Sequence, residues 1–169
     1  MERFTRRGAL ALGVGAGALL SGCGSSKFIG YDGPEVTRVQ ILKSSRQMLL
    51  LHHEVPLRAY AVQLGFTAAG PKQFEGDGKT PEGRYHIDRR NPNSSFYLSI
   101  GIDYPNDADR AYAAEMGRPP GGDIFIHGWG DKKRERGLDW TAGCVAVTNK
   151  EMRHVYAMVH NGTPVDIYA

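Results

Sequence analysis

A thiol and an imidazole are the groups in this chain best suited to covalent chemistry. The thiol is Cys144, in Asp139-Trp140-Thr141-Ala142-Gly143-Cys144-Val145-Ala146-Val147, and the imidazole is His127, in Ile126-His127-Gly128. A cysteine thiol ionises near pH 8.5 and is mostly protonated at pH 7. An imidazole beside it can take the proton and leave a sulfur able to attack a carbonyl. The segment from Gly128 to Gly143 is long enough to loop out and return, which would set His127 beside Cys144. Gly143, directly before the thiol, lets backbone approach a substrate closely. The amides of Gly143 and Cys144 could then face a developing oxyanion. Thr141 either hydrogen-bonds near the nucleophile or caps the turn. Asp139 and Trp140 either pack the base of the loop or touch substrate. The bland alternative for Cys144 is a buried structural cysteine, which behaves as a small hydrophobe. His52, His53, His86, His154 and His160 read as structural, because none has metal-ligand spacing with another candidate. One remaining cysteine cannot build the usual zinc site, so no metal is expected.

The other cysteine, Cys23, belongs to an N-terminal region that reads as an export signal. Met1 to Arg7 is short and basic, Gly8 to Leu20 is uncharged and apolar, and Leu20-Ser21-Gly22-Cys23 follows. That is the order of a secretory signal, with an apolar stretch too short for an ordinary transmembrane helix. Arg6-Arg7 gives it a twin-arginine look. Leu-Ser-Gly-Cys resembles a bacterial lipobox, so residues 1–22 are expected to be a lipoprotein signal peptide, with Cys23 as the lipid-bearing residue. Residues 23–34 then form a tether, and 35–169 one catalytic domain. With Cys23 lipidated, Cys144 has no partner for a disulfide, and a lone thiol in an oxidising compartment is a liability unless it is buried or used. Residues 1–22 hold three Arg and one Glu, leaving 18 basic and 17 acidic residues, a net charge of +1. The basic pI of 8.9 therefore arises partly in the signal, and nucleic-acid binding is not expected.

The elements that must position the thiol and the imidazole are mostly strands. Val36 to Ile41 alternates apolar and polar residues; Met48 to Leu51 and Leu57 to Leu64 flank turn candidates at Glu54 and Pro56, and together these read as antiparallel hairpins. Arg84 to Asp88, Phe96 to Ile100, Ile124 to His127 and Pro164 to Tyr168 are further strands. Two helices are expected. Asn106 can cap one over Asp107 to Met116. Thr148 to Glu151 fits a capping box for a second, reaching about His160 and burying Met152, Val155, Tyr156 and Val159 on one face. The loop from Trp129 to Trp140 carries Lys132-Lys133-Arg134-Glu135-Arg136, which is either a solvated loop or a flap beside the site.

Three segments in order carry a family resemblance: Thr80-Pro81-Glu82-Gly83-Arg84-Tyr85, then the strand-end pair His127-Gly128, then Thr141-Ala142-Gly143-Cys144. Over about Thr37 to Ile167 the chain resembles the L,D-transpeptidase catalytic domain, the YkuD type. The resemblance implies a mainly β fold with a few helices, a sandwich of mixed sheets. It implies Cys144 as nucleophile, His127 as general base and acid, and the carbonyl of Gly128 as the acceptor that orients His127. Tyr104 is an extra oxyanion donor by loose resemblance. It further implies attack on the carbonyl at the L-centre of diaminopimelate in a peptidoglycan tetrapeptide stem, a thioester, and transfer to an amine. No cofactor is implied, and a monomer is expected. Hydrolysis of the same thioester, as in an L,D-carboxypeptidase or an amidase freeing protein from peptidoglycan, is the alternative, and a non-catalytic peptidoglycan-binding lipoprotein is a third. Members commonly carry Arg or Asn two residues after the nucleophile; here that residue is Ala146, which leaves the acyl acceptor open. The expected location is the periplasmic side of a membrane, held by the lipid on Cys23. Gly24, in place of the Asp that retains lipoproteins at the inner membrane, favours the outer one.

Overall fold

The computed structural model describes residues 26–130 and 137–169. Cys23, the export signal and Lys132 to Arg136 of the charged run lie outside the described residues. Among the described residues, eight strands and two helices follow in the order β1 (Arg38–Leu42), β2 (Gln47–His52), β3 (Val55–Ala61), β4 (Gly83–Asn91), β5 (Ser99–Ile102), α1 (Asp107–Glu115), β6 (Phe125–His127), β7 (Val145–Ala146), α2 (Asn149–Met158) and β8 (Pro164–Tyr168). The strands join in one ladder, β3-β2-β1-β8-β4-β5-β6-β7. The ladder is mixed: β1 with β8 and β6 with β7 are parallel, and the other neighbours are antiparallel.

The ladder curls into two halves hinged on β4. Residues 83–86 of β4 pair with β8, and residues 87–91 pair with β5 across an irregular register. Curling brings the two ends together. The chain leaving β3 meets β7, where Gln63 and Ala146 exchange both backbone hydrogen bonds at 2.8 Å. The mainly β, mixed-sheet architecture expected from the sequence is present in this form.

Alternation of apolar residues explains which face each strand buries. In β1, Val39 and Ile41 are fully buried while their neighbours are half-exposed. Both expected helices form, each opened by a capping box, Asn106 with Asp109 and Thr148 with Glu151. Helix α2 ends at Met158, two residues short of His160. It buries Met152, Val155 and Met158 and packs against β5. Arg90 closes its C-terminal end, donating to the carbonyls of Tyr156 and Val159. Pro56, expected in a turn, lies inside β3 instead. That strand is the edge of the ladder, where a missing N–H costs least. His53, in the left-handed region, and Glu54 make the turn. The two-residue strand β7 was not foreseen.

Candidate active site

Parallel pairing of β6 with β7 is what brings the thiol to the imidazole. Ile126 lies opposite Val145 and His127 opposite Ala146, so Cys144 enters β7 beside Phe125. The Phe125 N–H donates to Cys144 Sγ at 3.4 Å, and the thiol faces the Asp123 carbonyl at 3.6 Å. Phe125 and His127 are two apart on one strand and so share a face, opposite the core side chain Ile126. Cys144 and His127 line one cavity of about 320 Å³, with Phe96, Ser99, Asp123 and Phe125 among its walls. Three larger surface hollows among the described residues, of about 490, 340 and 330 Å³, lie at the C-terminal end of β8, at the β1–β2 turn and beside His160 to Pro164, and contain neither residue.

His127 is buried, and its Nδ1 lies 2.7 Å from the carbonyl of Gly128. A carbonyl can only accept, so Nδ1 carries a hydrogen. Aromatic rings hold the imidazole. Phe96 stacks on it at 4.5 Å between centroids, and Trp140 stands against it at 5.7 Å with Trp129 edge-on behind. Gly128 has no room for a side chain: a Cβ would sit 2.6 Å from Asn149 Oδ1 and 2.7 Å from the Phe96 carbonyl. Asn149, the first residue of α2, grips the next turn of chain, accepting from Gly130 N at 3.0 Å and donating to Gly130 O at 2.8 Å.

The loop carrying the thiol is built from its own polar groups. Thr141 Oγ1 donates to the Cys144 carbonyl at 2.7 Å and accepts from Gly143 N at 3.1 Å. Gly143 has φ +135°, and a Cβ there would meet the Lys79 carbonyl at 2.6 Å. The backbone of Lys79 is therefore the wall behind Gly143, and the buried Thr80 next to it accepts from Gly65 N at 3.0 Å. Asp139 clips the loop base, taking Arg46 through Nε and Nη2 and Leu64 N at 3.1 Å. Burial pushes the Cys144 thiol above its ordinary pKa and the Asp123 charge adds to this, against the Phe125 N–H and the more distant Lys72 and Arg89.

Cys144, His127 and Gly128 thus come together as expected, and Trp140 joins them as a wall of the imidazole. The expected oxyanion donors fare differently. The Gly143 N–H is given to Thr141, and the Thr141 hydroxyl is used within the turn. Tyr104 is buried, donates to the Pro120 carbonyl at 3.0 Å, and is not among the cavity's lining residues. That hydroxyl braces the segment before Asp123. Phe96 and Asn149 escaped the sequence reading. Phe96 is distant from both Cys144 and His127 in the chain, and Asn149, though close behind Cys144, acts on the far side of the loop at Gly128 and Gly130.

Known proteins resemble this chain in sequence and in fold. The model of the L,D-transpeptidase catalytic domain family matches residues 36–167. The Escherichia coli (strain K12) protein YafK is 37% identical over 93 residues, 53% of this chain and 32% of that protein. The helical cell shape determining protein Pgp2 of Campylobacter jejuni superposes with a TM-score of 0.64 at 24% identity, over 83% of this chain and 50% of that one. L,D-transpeptidase 1 of Mycobacterium tuberculosis gives 0.52 at 12% identity, over 80% and 62%. The matched region is about a third of YafK and half of Pgp2.

Proposed function

The chain belongs to the L,D-transpeptidase catalytic domain family, and from that premise we propose that it is an exported cysteine acyltransferase acting on peptidoglycan stem peptides. The observation that carries this reading is the imidazole geometry. His127 gives its Nδ1 hydrogen to the Gly128 carbonyl and shares a cavity with Cys144, which sets an oriented imidazole beside the thiol as its base. The resting thiol is protonated, since burial raises its pKa. His127 takes that proton as the sulfur attacks the carbonyl at the L-centre of diaminopimelate. The tetrahedral adduct collapses, His127 Nε2–H protonates the departing D-alanine amine, and a Cys144 thioester remains. An amine from another stem or a protein lysine then attacks the thioester and the thiol is regenerated. With Gly143 N–H held by Thr141, the backbone N–H of Cys144 is the nearer candidate for the oxyanion. Lipid attachment through Cys23 would hold this chemistry at the periplasmic face of a membrane.

Water as acceptor gives a second reading, a carboxypeptidase or an amidase. It is favoured by Ala146, which is fully buried and places no polar side chain in the cavity for an acceptor to meet. Mass analysis of products from purified muropeptides separates the two. Cross-linked dimers support transfer, trimmed monomers support hydrolysis, and Cys144→Ala is expected to lower either by at least about 10³-fold. Full activity in Cys144→Ala overturns the nucleophile. A protein that forms no Cys144 adduct with a carbapenem and leaves every muropeptide unchanged is a binding protein instead.

A further inference from the structure

The sheet face that carries the cavity holds a cation in the nucleophile's own row. Arg89 lies opposite Gly101 and Gly101 opposite Phe125, whose N–H meets Cys144 Sγ. The row therefore runs Arg89, Gly101, Phe125, Cys144. Gly101 is what lets Arg89 lie along it, since a Cβ there would sit 2.7 Å from Arg89 Cγ and 2.8 Å from its Nε. The guanidinium reaches over the Phe125 ring, 4.5 Å from its centroid. Its Nη1 is fixed 2.7 Å from Asp88 Oδ2, while Nη2 lies 3.1 Å from Asp123 Oδ1. Asp123 lines the cavity, turns its carbonyl to the thiol, and leaves its side chain 90% exposed. Its φ of +56° is uncommon for a residue other than glycine and gives the carboxylate this placement.

We infer that Arg89 and Asp123 form a subsite for an amino-acid centre bearing a free ammonium and a free carboxylate on one carbon. The inference rests on the reading of Cys144 as the nucleophile that attacks a stem peptide, and it says which end of the substrate lies beside it. An exposed ion pair held by one hydrogen bond opens easily. A zwitterion can enter it by exchange: its carboxylate takes Arg89 Nη2 and its ammonium takes the Asp123 carboxylate, so every charge stays paired. A lone carboxylate would meet Asp88 and Asp123 as like charges, and a lone ammonium would take Asp123 and leave Nη2 without an anion. The side-chain end of diaminopimelate is a centre of the required kind. Ala146 is buried and adds no polar group to the cavity, so among the described residues the recognition of charge falls to this pair.

The test is a titration of the full chain carrying Cys144→Ala, which binds without turnover. The probes are a meso-diaminopimelate tetrapeptide stem, the same stem with its side-chain carboxyl amidated, and the same stem with its side-chain amine acetylated. Calorimetry is expected to give at least tenfold weaker binding for either capped stem. Adding Arg89→Gln should make the native and amidated stems bind equally, and adding Asp123→Asn should do the same for the native and acetylated stems, with unchanged thermal transitions. Capped stems that bind as tightly as the native one, variants that keep the tenfold preference, or no binding of any stem overturns the subsite. Binding with discrimination but no turnover by the unmodified chain leaves the subsite standing and removes the catalytic reading; turnover without discrimination does the reverse.

Discussion

Cys144 is not held as a ready thiolate. Burial disfavours its charged form, and the Asp123 charge acts in the same direction, so the pKa lies above the ordinary thiol value. Iodoacetamide reacts with the thiolate and not with the thiol. Its rate against Cys144 should rise with a midpoint above about pH 8.5. His127→Ala should lower turnover by about 10²- to 10⁴-fold, the range of a positioned general base. It should leave that midpoint high, because the shift comes from burial. A midpoint below the ordinary value would point to a preformed thiolate–imidazolium pair. At this scale the sequence reading reached Cys144, His127 and Gly128, whose types and order are local. The partners of the Gly143 amide and the Tyr104 hydroxyl are not legible in residue type, because they depend on which acceptor lies nearest. Thr141 and Pro120 are those acceptors.

Among the elements, α2 does more than cover the core. Its capping box fixes where the helix begins, and Asn149 then holds both polar groups of Gly130, two residues beyond the carbonyl that orients His127. The N-terminus of α2 is thereby a clamp on the imidazole. Asn149→Ala is expected to lower kcat about tenfold with little change in KM, since a misplaced base costs chemistry more than binding. Thr148→Ala should cost about 1 kcal/mol of stability, the usual worth of such a cap. Steady-state kinetics on stem peptides and thermal melts check the two separately. The cap was legible because Thr148 and Glu151 are three residues apart. The clamp was not, because Asn149 and Gly130 are nineteen apart and meet only after β6 and β7 pair.

The whole molecule is tied across its strands by carboxylates whose charge the fold stabilises. Arg84 holds the Asp166 carboxyl below its usual range, helped by Arg38 and against the effect of burial. For Asp77, burial pushes the carboxyl up, but the N–H groups of Phe74, Gln73 and Lys79 together with Lys72 outweigh it and hold it low. A carboxylate with a depressed folded pKa contributes stability that is present above its unfolded value and is lost as pH falls through the folded one. The melting temperature should therefore fall progressively below about pH 4. Asp77→Asn and Asp166→Asn should each lower it at pH 7 and shrink the remaining acid-induced loss. Melts between neutrality and strong acid check this, and a wild-type profile flat through that window would contradict it.

What the sequence determined by itself is local chemistry and local order. Residue types name the thiol and the base, the Thr-Pro, His-Gly and Gly-Cys segments occur in a family's order, and apolar alternation and capping boxes mark strands and helices. These are properties of neighbours in the chain, so the chain alone displays them. Tertiary structure decided which groups are free to act. The curl of the sheet through β4 and the parallel approach of β7 to β6 set Cys144 in the His127 cavity, and the fold spent the Tyr104 hydroxyl on Pro120. The same curl laid Arg89 across Gly101 toward the nucleophile. The reason is geometric: strand register joins residues such as 89, 101, 125 and 144 into one row, and no spacing along the sequence encodes that row.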